Sequence, residues 1–159
     1  MKILVFSDTH GDIKKAREAI KKNIDTDLII HLGDYFRDAQ KIRAEFPGIP
    51  VEYIYGNSDF MIDDTPAEKL LEFEGKRIFM THGHKYSVKW NYQQLFDKAY
   101  ELKADVLLFG HTHVAEIVKN GSGYILNPGS ISDPRGDSIE SYAVIEINDG
   151  KVELRLCCA

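Results

Sequence analysis

All six histidines of this chain lie in or beside four short segments: Asp8-Thr9-His10, His31 to Asp34, His82-Gly83-His84 and Gly110-His111-Thr112-His113. Gly56-Asn57-Ser58-Asp59 adds an amide and a further carboxylate. Imidazole, carboxylate and amide, with no thiolate, is a ligand mix for borderline divalent metals such as Mn, Fe, Co, Ni or Zn. It suits structural zinc poorly. Asp8, His10, Asp34, Asn57, His82, His111 and His113 make seven candidate ligands, too many for one tetrahedral ion. They suit two ions about 3.5–4 Å apart that share a carboxylate. Asp8 and His10 are two residues apart, as are His111 and His113. In an extended segment both side chains of such a pair leave one face, so each pair is expected to clasp one ion or reach two adjacent ones.

Something must carry these groups to one place. Lys2 to Phe6 is a continuous apolar run, the pattern of a strand buried on both faces. Ile13, Ala16, Ile20 and Ile24 then recur at helical spacing. Leu28 to Ile30 is a second buried strand. Ala39, Ile42 and Phe46 mark a second helix, stopped by Pro47-Gly48, and Val51 to Tyr55 is a third strand. This β-α-β-α-β order calls for a parallel sheet with right-handed crossovers.

In the second half, Lys69 to Phe73 and Arg77 to Thr81 flank Glu74-Gly75, a hairpin signal. Tyr92, Leu95, Phe96, Ala99 and Leu102 form another helical stripe, and Val106 to Phe109 another strand. Ala115 to Lys119 pairs with Tyr124 to Leu126, and Tyr142 to Ile147 with Val152 to Leu156, each across a Gly-containing turn. The tail is therefore expected to be antiparallel. Two sheets packed face to face with helices outside accommodate both halves, as a single domain over residues 1–159. Asp8, Asp34, Asn57, His82 and His111 each fall just after a predicted strand. In open α/β sheets that is where ligands bind.

The 159 residues are 43% hydrophobic and 28% charged, ordinary for a globular protein, with a net charge of −5. That balance argues against bulk nucleic-acid binding but not against a small phosphate. No apolar run approaches the roughly 20 residues that span a bilayer, and the first one stops at Ser7-Asp8, too early for a signal core. A cytoplasmic protein is the expectation. Cys157 and Cys158 are adjacent and resemble no metal spacing.

Ser7-Asp8-Thr9-His10-Gly11, Gly33-Asp34, Gly56-Asn57-Ser58-Asp59, Thr81-His82-Gly83-His84 and Gly110-His111-Thr112-His113 occur in the order seen in the calcineurin-like metallophosphoesterases. Asn127-Pro128-Gly129-Ser130, followed by Pro134-Arg135, is similar to the small bacterial and archaeal phosphodiesterases within that family. The resemblance runs from residue 2 to about residue 147. It implies an α/β fold, a four-layer α-β-β-α sandwich of two mixed sheets. It implies that Asp8, His10, Asp34 and His113 bind one metal, and that Asp34, Asn57, His82 and His111 bind the other. Asp34 would then bridge, and a hydroxide held between the ions would attack the phosphodiester. Mn²⁺ is the implied activator, with Ni²⁺, Fe²⁺, Co²⁺ and Zn²⁺ as alternatives.

Two departures stand out. Many members have a histidine after the motif asparagine, placed to protonate the leaving group. Here Ser58 stands, which favours diesters with better leaving groups over monoesters of ordinary alcohols. Tyr35-Phe36-Arg37-Asp38 reverses the Asp–Arg order of the phosphatase pattern, so Arg37 receives no phosphate-binding role.

Other readings stand beside these. Asp8 and Asp34 could be helix N-caps. His31 reads as a packed or supporting histidine. His84 either orients a ligand or faces solvent, and Asp59 reads as a turn cap. Arg135, Ser58 and His84 are the candidate substrate-binding residues, with a surface salt bridge the alternative for Arg135. Tyr86, Trp90 and Tyr92 are expected in the core or at a homodimer interface. The same fold carries a scaffold subunit of the retromer coat. A protein-binding module is thus an alternative, which seven converging ligands argue against. A phosphomonoesterase is another, which Ser58 disfavours.

Overall fold

A computed structural model describes residues 1–159. Its strands and helices, in chain order, are β1 (Lys2–Phe6), α1 (Lys14–Lys22), β2 (Leu28–His31), α2 (Phe36–Glu45), β3 (Val51–Tyr53), β4 (Glu68–Phe73) and β5 (Lys76–Thr81). A 3₁₀ turn (His84–Tyr86) leads to α3 (Gln93–Leu102), β6 (Val106–Leu108), β7 (Ala115–Asn120), β8 (Gly123–Pro128), β9 (Ser141–Asn148) and β10 (Lys151–Cys158). Two five-stranded mixed sheets result, ordered β10-β9-β1-β2-β3 and β4-β5-β6-β8-β7.

Strand alternation sorts the core into layers. Ile3, Val5, Leu28 and Ile30 of the first sheet meet Ile78, Met80, Val106 and Leu108 of the second, forming the central core. The alternate residues point outwards. Leu4, Phe6 and Ile29 pack under Ala16, Ile20 and Ile42 of α1 and α2. Phe79, Leu107 and Phe109 pack under Leu95 and Ala99 of α3. The continuous apolar runs are thus strands buried on both faces, and the order of layers is α-β-β-α. Each Ile, Leu or Phe buried this way contributes about 1.5–3 kcal/mol.

The β1-β2-β3 register is parallel, Phe6 opposite His31 and His31 opposite Tyr53. In the second sheet β5, β6 and β8 are parallel. The carboxyl ends of these parallel strands form one rim, and the loops that leave it carry the candidate ligands.

Two expectations need correction. Ile24 does not continue the buried stripe. α1 ends at Lys22, the Asn23 N–H closes on the Ala19 and Ile20 carbonyls, and Ile24 is 87% exposed on the turn beyond. The tail is only partly antiparallel: β8 is antiparallel to β7 but parallel to β6, because it enters the sheet beside β6 from the same end. Of the aromatic residues expected in the core or at a subunit interface, Trp90 is outside the core, at 87% exposure. Tyr86 and Tyr92 are half-buried against the α3 layer.

Candidate metal centre

Five strand ends deliver the site. Asp8 and His10 follow β1, Asp34 follows β2, Asn57 follows β3, His82 follows β5, and His111 and His113 follow β6. Asp8, His10, Asp34 and His113 each place a ligand atom within 4.8 Å of the others. His82 Nε2 lies 3.3 Å from Asp34 Oδ1, 3.9 Å from Asp8 Oδ1 and 3.1 Å from Asn57 Oδ1. The His111 ring centroid is 5.3 Å from that of His82.

The local backbone is not extended. Asp8, His10, Asp34, His111 and His113 all have positive φ, between 45° and 68°. That left-handed region is unfavourable for residues with a Cβ, and such conformations persist where the surroundings enforce them, often at functional sites. The extended-segment expectation for the Asp8/His10 and His111/His113 pairs is therefore corrected. His113 turns towards Asp8 and His10, its Nε2 3.3 Å from His10 Nε2, while His111 turns towards His82 and His84. Glycines let the loops approach. A Cβ on Gly110 would fall on Ser7 Oγ and 2.8 Å from Asp8 Oδ2.

Hydrogen bonds fix which ring atoms face inwards. A carbonyl can only accept, so His82 Nδ1–H donates to Leu32 O at 2.8 Å and His113 Nδ1–H donates to Asp133 O at 2.5 Å. Both Nε2 lone pairs then point into the centre, the arrangement by which ligating histidines are held. Asp8 is fully buried. Its Oδ2 accepts from Ser7 Oγ at 2.5 Å and from the His111 N–H at 3.2 Å, while Oδ1 has no hydrogen-bond partner. Asp34 accepts the Ser58 N–H and Oγ–H, both at 2.9 Å. Neither carboxylate caps a helix. Asp59 instead accepts from Tyr35 and Phe36 N–H at the start of α2 and from Gly56 N–H.

Charge follows this geometry. Burial pushes the Asp8 carboxyl up, but the His113 ring, its Nε2 3.2 Å from Oδ1, the His82 ring and the Ser7 hydroxyl outweigh it and hold it below its ordinary value. Burial opposes ionisation of Asp34 too. His82 and the two Ser58 bonds outweigh it and hold that carboxyl well below the carboxylate range. Burial depresses His82 and His113, and their carboxylate partners reverse the sign and raise both. His111 is pushed down to about 4 by burial and by the His82 and Lys89 charges. Ionised carboxylates facing inward-pointing Nε2 atoms, with a buried Asp8 oxygen that accepts no hydrogen bond among them, form a site that a metal cation completes by displacing the ring protons. The donor set fits divalent metal ions.

The supporting residues were less visible in sequence. Buried Asn127 donates to Gly110 O and Thr112 Oγ1 and accepts from Gly129 N–H, bracing the loop that holds His111 and His113. Ser130 and Ser132 hydroxyls bind the Asp8 carbonyl, and Ser132 also binds that of Thr9. Asn127 and Ser130 stood in a recognisable segment, but nothing in their spacing disclosed a bracing role. His31 is fully buried. It accepts the Gly33 N–H at Nδ1, which leaves its Nε2–H for Thr9 Oγ1 at 3.1 Å.

Of the candidate substrate-binding residues, Ser58 sits on Asp34. His84 lies 5.5 Å from His82 between ring centroids, with Nδ1 unpartnered. Arg135 is exposed, 3.8 Å from Asp133. Arg37 donates to the Phe60 and Met61 carbonyls, a structural use.

Comparison with known proteins agrees with this geometry. A probable metallophosphoesterase of Bacillus subtilis, YsnB, is 33% identical over 157 residues, covering 98% of this chain and 89% of its own. The phosphodiesterase YfcE of Escherichia coli is 25% identical over 169 residues, covering 92% and 88%. The crystal structure of a predicted phosphoesterase from Streptococcus pneumoniae superposes with a TM-score of 0.84 at 32% identity, covering 99% of this chain and 88% of that one. Zinc-complexed Vps29 from Entamoeba histolytica shares the fold alone, with a TM-score of 0.78 at 21% identity over 99% and 98% of the two chains. Residues 1–150 match the model of the calcineurin-like phosphoesterase superfamily domain, and the chain belongs to that superfamily.

Proposed function

We propose that this chain is a phosphodiesterase that uses two divalent ions, with Mn²⁺ as the activator, at the rim of parallel strand ends. One observation carries the reading. Asp8, His10, Asp34 and His113 converge within 4.8 Å, and the Asp8 Oδ1 among them has no hydrogen-bond partner. In this reading these four hold one ion, and Asp34, Asn57, His82 and His111 hold the other, with Asp34 common to both. Bound divalent ions supply Lewis acidity at phosphoryl oxygens and bring the pKa of water towards neutrality.

The chain's own residues do the rest. The Leu32 and Asp133 carbonyls hold His82 and His113 with Nε2 inwards. Ser58 occupies one lone pair on each Asp34 oxygen and leaves one on each free. A serine hydroxyl is a poor acid at neutral pH, so no side chain at this position protonates a departing alkoxide. General acid catalysis is typically worth about 10²–10⁴-fold, which favours diesters with good leaving groups. The resemblance to YfcE supports the same direction. A cytoplasmic setting belongs to this proposal, in keeping with the free thiols of Cys157 and Cys158.

The test compares bis(p-nitrophenyl) phosphate with p-nitrophenyl phosphate in the presence of Mn²⁺. The diester is expected to show the higher kcat/KM. A preference for the monoester refutes diester specificity, and no turnover of either with any divalent metal refutes the enzyme.

A further inference from the structure

A groove of about 610 Å³ opens beside the candidate centre, lined by Val88, Lys89, Tyr92, Thr112, Val114 and Arg135, with Glu116 at its wall. Its size is that of pockets that hold small ligands. Thr112 lies between His111 and His113, so the inner end of the groove is the centre's own loop. Arg135 is tied to the same loop by its backbone N–H, which donates to the His113 carbonyl at 3.3 Å. A second groove of similar volume, near Tyr100, Asp105 and Asn120, lies at the opposite ends of the strands and is remote from this chemistry.

The groove has an apolar body and two exposed cations, Lys89 and Arg135. Two acids neighbour them, Glu116 and Asp133. Glu116 accepts from the Tyr92 hydroxyl. The Asp133 carboxylate forms a solvent-exposed ion pair with Arg135 at 3.8 Å, weak enough for a bound anion to displace, while His113 Nδ1–H is spent on the Asp133 carbonyl. Lys89 makes no ion pair and Arg135 only an exposed one, so both cations are open to an anion beside a centre that itself favours phosphate.

We propose that this groove seats one arm of the diester, and that the arm it selects carries a second anionic group held by Lys89 and Arg135. The inference rests on the diesterase reading of the adjacent centre and adds a substrate class to it. That class is phosphodiesters with a further phosphate or carboxylate on one arm, joined by a body that packs on Tyr92 and Val114.

The test uses two chromogenic diesters that differ only in that group: thymidine 5′-(p-nitrophenyl phosphate) and its 3′-phosphorylated form. The 3′-phosphorylated ester is expected to have a kcat/KM about tenfold higher or more, expressed mainly in KM. Lys89→Ala and Arg135→Ala should each pull the ratio of the two towards one, and Lys89→Arg should preserve it. Equal kcat/KM for the two esters, or a ratio that neither alanine variant moves, overturns the inference while leaving the diesterase reading intact. Turnover of neither ester with any divalent metal overturns that reading instead. Binding then decides the groove: Trp90, the sole tryptophan and the neighbour of Lys89, reports titrations of thymidine 3′,5′-bisphosphate and thymidine 5′-monophosphate by fluorescence. Tighter binding of the bisphosphate, lost in Lys89→Ala, upholds an anion-selective groove, and equal affinities overturn it.

Discussion

Gly56→Ala adds a single methyl group at the point where two candidate ligands meet. The backbone of Gly56 is accessible to alanine, so the effect is steric alone. The new Cβ would fall on Asp34 Oδ1, 2.6 Å from the Asp34 backbone nitrogen and 2.9 Å from His82 Cδ2. Ordinary contacts between carbons sit at about 3.5–4.0 Å, so His82 must retreat by roughly 0.6–1.1 Å and the Asp34 carboxylate by more than about 1 Å. Overpacking of this kind costs about 1–3 kcal/mol. A displacement of about 1 Å in a reactive constellation lowers the rate about 10²-fold. The assay is kcat/KM on bis(p-nitrophenyl) phosphate with Mn²⁺, beside a guanidinium midpoint for the same protein. Gly48→Ala is the control, since a Cβ there meets nothing within 4 Å, and it should match wild type in both readouts. A Gly56→Ala protein with wild-type kcat/KM and midpoint would refute the claim that Asp34 and His82 are held against Gly56 for the reaction.

Two further outcomes follow from buried groups. Burial pushes His31 down to about 4, so between pH 6.5 and about 4 the unfolded chain binds a proton that the folded chain refuses. Stability from this source is complete above pH 6.5 and falls by about 3 kcal/mol as the pH drops towards 4. His82 and His113, whose values are raised, act in the opposite sense and cancel in a comparison with His31→Gln. Denaturant midpoints of the metal-free proteins at pH 7 and pH 4.5 should show a smaller loss in the variant, and equal losses would contradict the assignment. Asn127→Ala removes two donated bonds and one accepted bond and leaves the buried Gly110 carbonyl short of a partner. We expect a loss of about 2–4 kcal/mol in chemical unfolding, with a fall in kcat/KM as His111 and His113 lose their brace. Unchanged kinetics would separate that loop from the reaction.

The strand ends were legible because each candidate ligand follows an apolar run, and parallel strands must present their carboxyl ends on one rim. Asp8, Asp34, Asn57, His82 and His111 needed no more than that to be gathered. What failed was local geometry. Spacing of two implies one face only in an extended segment, whereas Asp8, His10, His111 and His113 adopt left-handed backbone that tertiary contacts impose. Pairing across the second sheet was also hidden, since the β6–β8 register joins residues far apart in the chain and no turn announces it. Ile24 kept the helical period past the end of α1, where Asn23 had already closed the helix. Asn127, Ser130 and Ser132 are small polar residues in a turn-rich segment, and only the fold shows that they brace backbone under the candidate ligands. Lys89 and Arg135 lie 46 positions apart and meet in one groove only after folding.

The most direct test of the central claim is hydrolysis of bis(p-nitrophenyl) phosphate by metal-stripped protein, with and without added Mn²⁺, for wild type, Asp34→Asn and Asn57→Ala. Circular dichroism would confirm that each protein is folded. A dinuclear centre with Asp34 common to both ions predicts turnover that appears only with metal and is lost by about 10²-fold or more in both variants. Metal-independent turnover, or full metal-dependent activity in folded Asp34→Asn, would contradict it.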